Sequence, residues 1–236
     1  MGDRAIGHTS SSKLVKIDNI QTNKHIAISN IMIDRKILQE YREYSFRSYF
    51  ELPYETDEIL AEFDYSLIKA ELCLPHTSRE LEEIDSLKQR IRATLPFLSL
   101  SSETARRESL VSPILLDLVR YCQCQLRFEY TLNVNSWLKG NLDYLVQSNQ
   151  DLLVIAAKND DMTRGFTQLA VELIAMSHVA DKNIFYGAVT MGDVWRFGKL
   201  DPSKQTIFQD VNLFRVPDDL EDLIKVMVGI LDGVVI

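Results

Sequence analysis

The chain has 236 residues, of which 46% are apolar and 25% are charged, and its formal net charge is −8. This composition is ordinary for a globular protein, and the length allows one full-size domain or one domain with a small lobe. The acidic balance argues against a protein that coats nucleic acid non-specifically, but an enzyme with a local basic groove stays compatible with it. No apolar run approaches the roughly 20 residues of a membrane span, so we expect no membrane association.

The cysteines and the N-terminus indicate the compartment. An odd, sparse set of cysteines argues against a disulfide framework and for a reducing compartment, and the four histidines lie too far apart for a zinc-ligand pattern. Residues 1–13 lack the apolar segment of a signal peptide and predict a flexible polar tail. We therefore expect a cytoplasmic protein. The cysteines are Cys73, Cys122 and Cys124.

Residues 14–98 predict a mostly helical N-terminal lobe. The signals are acidic residues at a helix start, a capping box at Thr77 and Glu80, and prolines that end elements. The predicted elements, in chain order, are a strand or irregular segment at 14–33, a helix at 34–46, a helix from Thr56, a strand at 66–75 and a helix from about Thr77 to Pro96.

Residues 102–236 predict a second region, in which short polar separators between three strand-like runs indicate an antiparallel meander. The third run begins with LLVI, an unbroken apolar stretch typical of a strand buried on both faces. The predicted order is a helix at 102–122, strands at 126–135, 138–147 and 152–158, a helix at 163–178, a strand at 183–192 with a hairpin partner, an extended piece at 205–216 and a helix from Pro217.

Two residues of the meander are suited to phosphodiester chemistry. Asp143 lies in its second strand and Lys158 ends its third, so alternation can bring both side chains to one face. A carboxylate there can hold Mg²⁺ or Mn²⁺, and a lysine beside it can orient water or stabilise phosphate charge. A second acid is expected two residues before the lysine, where this chain has Ala156.

The segments GNLDYLV, LLVIAAKND and RGFTQLAVELIA, in that order, resemble the PD-(D/E)XK (restriction-endonuclease-like) nuclease superfamily, over roughly residues 102–200. The resemblance implies an α/β (α+β) fold with a restriction-endonuclease-like core. In that core a mixed central sheet with an antiparallel meander is flanked by helices, and residues 102–236 form it with a C-terminal helix. The mostly helical region 14–98 would be an N-terminal elaboration.

The resemblance also implies roles for single residues. Asp143 matches the metal-binding aspartate and Lys158 the catalytic lysine, while Ala156 replaces the expected metal-binding glutamate. The backbone carbonyl of Ala157 would face the metal ion. Two further positions belong to the implied set. Gln168 matches a glutamine that lies near the active site. Glu108, in ARRESLVSPILL, matches an upstream helical glutamate that completes the metal shell.

The implied function is metal-dependent hydrolysis of nucleic acid, with Mg²⁺ or Mn²⁺ as cofactor and DNA rather than RNA as partner. Such a DNA endonuclease would belong to a restriction, defence or DNA-processing setting, and many enzymes of this kind act as homodimers. Because one metal ligand is replaced at Ala156, we expect this form of the chain to be weak or inactive.

Alternatives remain open at the sequence level. The alanine could be a substitution introduced into an active nuclease, which the retention of the other motif residues favours, or the mark of a naturally non-catalytic nucleic-acid-binding or assembly protein. A third reading is an interaction protein that contacts other proteins through its acidic surface.

Overall fold

The computed structural model describes residues 36–235, and the chain from Ile37 onward forms one compact unit. In this described part, eight strands make a single sheet. They are β1 (Ser66–Ala70), β2 (Gln125–Asn133), β3 (Lys139–Gln147), β4 (Leu152–Ala157), β5 (Phe185–Thr190), β6 (Val194–Asp201), β7 (Thr206–Asp210) and β8 (Phe214–Arg215).

Helices cover both faces of this sheet. They are α1 (Phe46–Glu51), α2 (Thr56–Ala61), α3 (Ile84–Thr94), α4 (Glu103–Arg106), α5 (Ser112–Cys122), α6 (Met162–Ser177) and α7 (Leu220–Leu231). A π-helical turn, Arg107–Val111, joins α4 to α5. None of the helices between residues 36 and 235 combines the length and the apolar character that a membrane crossing needs.

The sheet is mixed, with strand order β1-β7-β6-β5-β4-β3-β2 and β8 beside β6. Strands β2, β3 and β4 are consecutive antiparallel neighbours, so the predicted meander is confirmed. Strand β5 lies parallel to β4 and forms the predicted hairpin with β6. At the far edge β1 lies parallel to β7. The α/β class and the mixed sheet flanked by helices are thus as predicted.

Strand β4 separates two hydrophobic clusters. Leu153, Ile155 and Ala157 belong to the cluster that includes α5 and α7, which we call the α7 face. The alternate residues, Val154 and Ala156 among them, belong to the cluster with α1, α2 and α6, which we call the α6 face. All of β4 is buried, which explains its unbroken apolar run.

The N-terminal region departs from its predicted elements. The predicted tail (1–13) and the segment 14–33 lie outside the described residues. The helix prediction for 34–46 is wrong in its described part, because turns and a bend precede α1. The reason is tertiary, since the Glu62 carboxylate accepts hydrogen bonds from the backbone N–H groups of Ile37 and Leu38.

Two other helices begin later than predicted. The hydroxyl of Thr77 accepts a hydrogen bond from the Arg79 N–H, which makes a local turn, and α3 begins only at Ile84. The last helix begins at Leu220 rather than Pro217. The region predicted as a helical lobe also contributes β1 to the sheet, α1 and α2 to the α6 face and α3 to the α7 face.

Candidate active site

The candidate site lies where β3 and β4 stop pairing. Their register runs from Gln147 opposite Leu152 to Tyr144 opposite Ile155 and ends there. The next residue of β3 is Asp143, whose Oδ2 accepts hydrogen bonds from the Ala157 N–H at 2.8 Å and from Lys158 Nζ at 3.0 Å. One carboxylate therefore bridges the open end of the two strands.

Strand alternation places Lys158 on the α6 face with Ala156, and the contact with Asp143 shows that both charged groups lie there. Asp143 and Lys158 are each only 8% exposed. A buried ion pair is costly to desolvate and is retained only with good geometry and further hydrogen bonds. The Ala157 N–H supplies one such bond.

A cavity of about 600 Å³ opens in front of this pair. Its wall includes Ser45, Phe50, Asn141 and Gln168. The Lys158 ammonium also lies 5.9 Å from the centre of the Phe50 ring. The wall contains both cationic and acidic residues. The cationic residues are Arg47, Arg107 and Lys158, and the acidic residues are Glu103, Glu129, Asp143 and Asp160.

Arg107 lies close to three acidic residues of the cavity wall. Its guanidinium lies 2.8 Å from Glu129, 3.8 Å from Glu103 and 3.9 Å from Asp143, and its Nε donates to the Tyr144 hydroxyl at 3.1 Å. The residue sits at the start of the π-helical turn, a local widening of a helix that often marks a functional site. The charge of Arg107 thus lies close to Asp143, but no hydrogen bond joins the two side chains.

Two glycines let helices approach the site closely. Gly140 has a φ of +140°, and a Cβ there would lie 3.0 Å from Phe46 Cδ2, so α1 packs directly on β3. At Gly165 of α6, a Cβ would lie 3.0 Å from Lys158 Cγ and 2.8 Å from Val189 Cγ2. The absence of a side chain at Gly165 therefore lets α6 pack closely against Lys158.

Helix α6 carries two polar side chains into this region. Gln168 lines the cavity, and its Nε2 donates to Oε1 of Glu172 at 2.7 Å. Glu172 is fully buried, and within residues 36–235 its Oε2 has no hydrogen-bond partner. Burial first, and the nearby charge of Asp143 second, raise the pKa of Glu172 to about 8, against the opposing effects of Lys158 and Gln168.

The structure brings together three of the residues proposed from the sequence, Asp143, Lys158 and Gln168, around one cavity. Glu108 is exposed and is not part of the cavity wall, whereas Glu103, one turn earlier, is. Ala157 contacts Asp143 through its N–H, and the role of its carbonyl stays a prediction.

Sequence reasoning missed several residues of the cavity wall, and it also missed Glu172, which is bonded to Gln168 of that wall. The available signal was its spacing, because it follows Gln168 by four residues on a helix face that is otherwise apolar. Arg47 and Phe50 of α1 gave no signal, since only the packing of α1 on β3 brings them to the cavity.

No group of three or more His, Cys, Asp or Glu side chains in the described part of the chain is arranged to hold a metal ion. Mg²⁺, however, commonly takes only one or two protein carboxylates, with waters and substrate phosphate as the other ligands. Among the described residues, Oδ1 of Asp143 and Oε2 of Glu172 are carboxylate oxygens of this region that lack a hydrogen bond. Arg107 approaches Oδ1 of Asp143 to 3.9 Å, and Oε2 of Glu172 is buried outside the cavity wall.

Comparisons with models of protein families, with curated proteins and with solved structures find no match to this chain.

Proposed function

We propose that the cavity is a phosphodiester-hydrolysis site of the PD-(D/E)XK kind, which acts on nucleic acid and on DNA rather than RNA. The observation that carries this proposal is the Asp143–Lys158 pair, with its two charged groups 3.0 Å apart on one face of diverging strands and in the wall of an open cavity. The order of the surrounding sequence motifs supports the same assignment.

The chain's own residues suit the two charges that the reaction handles. Arg47 is 85% exposed and lines the cavity, where it is available to contact a phosphate of the nucleic-acid backbone. Lys158 Nζ donates a hydrogen bond to Asp143, and from this position it can orient the attacking water or stabilise charge on phosphate. Oδ1 of Asp143 remains available to bind a divalent cation.

A bound Mg²⁺ or Mn²⁺ would supply charge neutralisation at the phosphate and lower the pKa of the attacking water. The protein's contribution is then positional, because the Ala157 N–H and Lys158 fix the Asp143 carboxylate in one orientation. A fixed orientation matters, since small displacements of catalytic groups cost large factors in rate.

Ala156 leads to two versions of the proposal. In the first, a glutamate belongs at position 156 and the alanine inactivates a DNA endonuclease. In the second, the alanine is natural and the protein binds nucleic acid or assembles on it without cutting. The full burial of Ala156 among apolar residues on the α6 face favours a natural alanine over an introduced one, because a glutamate there needs compensation. A natural chain of this kind cleaves only if another residue supplies the missing carboxylate.

The test compares the parent with Ala156→Glu, each with and without Lys158→Gln, on supercoiled plasmid and single-stranded DNA with Mg²⁺ or Mn²⁺. We expect cleavage that depends on Lys158, and binding that weakens steeply with salt even where cleavage is absent. If no form cleaves and none binds DNA at low salt, the proposal is wrong and an interaction protein with an acidic surface is favoured.

The oligomeric state is part of the same proposal, because a homodimer would allow both strands of a duplex to be cut. Light scattering on the parent protein, alone and with duplex DNA, measures it directly. A protein that stays monomeric in both cases would favour action on one strand.

A further inference from the structure

Glu172 is a buried acid that the proposed chemistry does not yet use. It lies in the middle of α6, is fully buried, and its Oε2 lacks a hydrogen-bond partner within the described residues. Its other oxygen is bonded to Gln168, a residue of the cavity wall. A buried carboxyl group with an unsatisfied oxygen is costly, so its presence requires an explanation.

The geometry of α6 relates Glu172 to the Asp143–Lys158 pair. The helix begins against Lys158, which Gly165 approaches closely, and runs over β5, where Leu169 lies against Gly187. Glu172 lies one turn beyond Gln168 and two turns beyond Gly165, so these three residues share one side of α6, and Gly165 on that side approaches Lys158 closely. Glu172 therefore lies on the side of α6 that meets Lys158 and, through Gln168, the cavity wall.

Position 156 is the complementary feature. Ala156 lies two residues before Lys158 on the same face of β4, in the buried cluster under α6 that includes Leu169 and Leu173. Its side chain is a single methyl group, and apolar residues of α6 belong to the same buried cluster. A small residue on the strand and an acid on the helix thus occur together.

We propose that Glu172 supplies, from α6, the carboxylate that position 156 lacks, so that Asp143, Glu172 and Lys158 together bind a divalent cation and the phosphate to be cleaved. This inference rests on the proposed function and deepens it. On this reading Ala156 is a required partner of Glu172 rather than a defect, and the chain as it stands is competent for metal binding.

The first measurement is Mn²⁺ binding by calorimetry, without nucleic acid. We expect the parent to bind Mn²⁺ and Glu172→Gln to bind it about tenfold more weakly or worse. Glutamine has the shape of a protonated glutamate and keeps the acceptor for Gln168, so the variant should fold. The matched control is Glu221→Gln, the same change on the exposed side of α7, which should leave binding unchanged.

The second measurement is DNA cleavage by the same proteins and by the exchange variant Ala156→Glu/Glu172→Ala. Glu172→Gln should lose on the order of 100-fold in rate, and the exchange variant should recover part of it because the carboxylate returns from the strand. The control Glu221→Gln should cleave as the parent does.

The outcomes separate this inference from the proposed function. Equal Mn²⁺ affinity of the parent and Glu172→Gln, or no binding by the parent, overturns the role of Glu172. Cleavage that appears only with Ala156→Glu and does not depend on Glu172 also overturns the role of Glu172, while the nuclease function stands. Conversely, Mn²⁺ binding that needs Glu172 but no cleavage by any variant supports the cation site and rejects the nuclease function.

Discussion

The helices α6 and α7 cover opposite faces of the same sheet, yet they are built differently. Every buried residue of α7 is apolar or glycine. Helix α6 is buried over most of its length as well, but its buried positions include Thr167, Gln168 and Glu172. Two helices with the same structural task therefore differ in the polarity of their buried residues, and one of the polar residues of α6, Gln168, lines the cavity.

The largest expected effect tests the structural role of α7. Leu223 is fully buried on the α7 face. The change Leu223→Ala should lower the free energy of unfolding by about 2–5 kcal/mol, because it removes apolar contacts and leaves a cavity. Urea unfolding at pH 5 and pH 8.5 measures this decrease in the free energy of unfolding, and the decrease should be the same at both pH values. A loss that depended on pH would contradict the purely apolar role of α7.

The second prediction tests the polar part of α6 through pH. Because the pKa of Glu172 is raised from 4.5 to about 8 in the folded protein, the folded state keeps a proton that the unfolded state releases. The contribution of Glu172 to the free energy of unfolding is therefore fully present below about pH 4.5. It is lost as the pH rises through about 8. Glu172→Gln should lack this loss, so its free energy of unfolding at pH 8.5 should exceed that of the parent by several kcal/mol, at about 1.4 kcal/mol per pKa unit.

Urea unfolding of the parent and Glu172→Gln from pH 4.5 to pH 8.5 is the measurement, with Glu221→Gln as control. The control should follow the parent, since Glu221 is an exposed partner of Lys225. Parallel curves for the parent and Glu172→Gln would mean that Glu172 titrates as an ordinary exposed acid.

The smallest expected effect concerns Glu108. Because Glu108 is exposed and outside the cavity wall, Glu108→Gln should change the free energy of unfolding by less than about 0.5 kcal/mol. It should also leave Mn²⁺ affinity unchanged in the calorimetric assay. A clear loss of affinity would restore the metal-shell role that the sequence resemblance implies for this residue.

Local sequence signals predicted the meander and the pairing of Asp143 with Lys158, because strand alternation and short polar turns act over a few residues. The convergence of both side chains needed only one antiparallel register, which the turn between β3 and β4 sets. These parts of the fold and site follow from short-range patterns.

The parts that were not predicted depend on long-range contacts. Residues 36–45 have helical character but are held by the Glu62 carboxylate and by the Ser136 carbonyl, which accepts from the Tyr44 N–H. Arg107 begins a π-helical turn and lies 3.9 Å from Asp143, a residue of a different element. Secondary-structure propensity cannot predict such contacts, since they come from segments that are distant in the sequence.

The edge of the sheet has a consequence for synthesis of the chain. Ser66 and Thr206, which face each other across β1 and β7, are 140 residues apart. At about 5–20 residues per second, a ribosome makes the first segment many seconds before its partner exists. During that interval the β1 segment, with Ile68 among its side chains, has no strand to pair with, so chaperone capture of nascent chains should concentrate there.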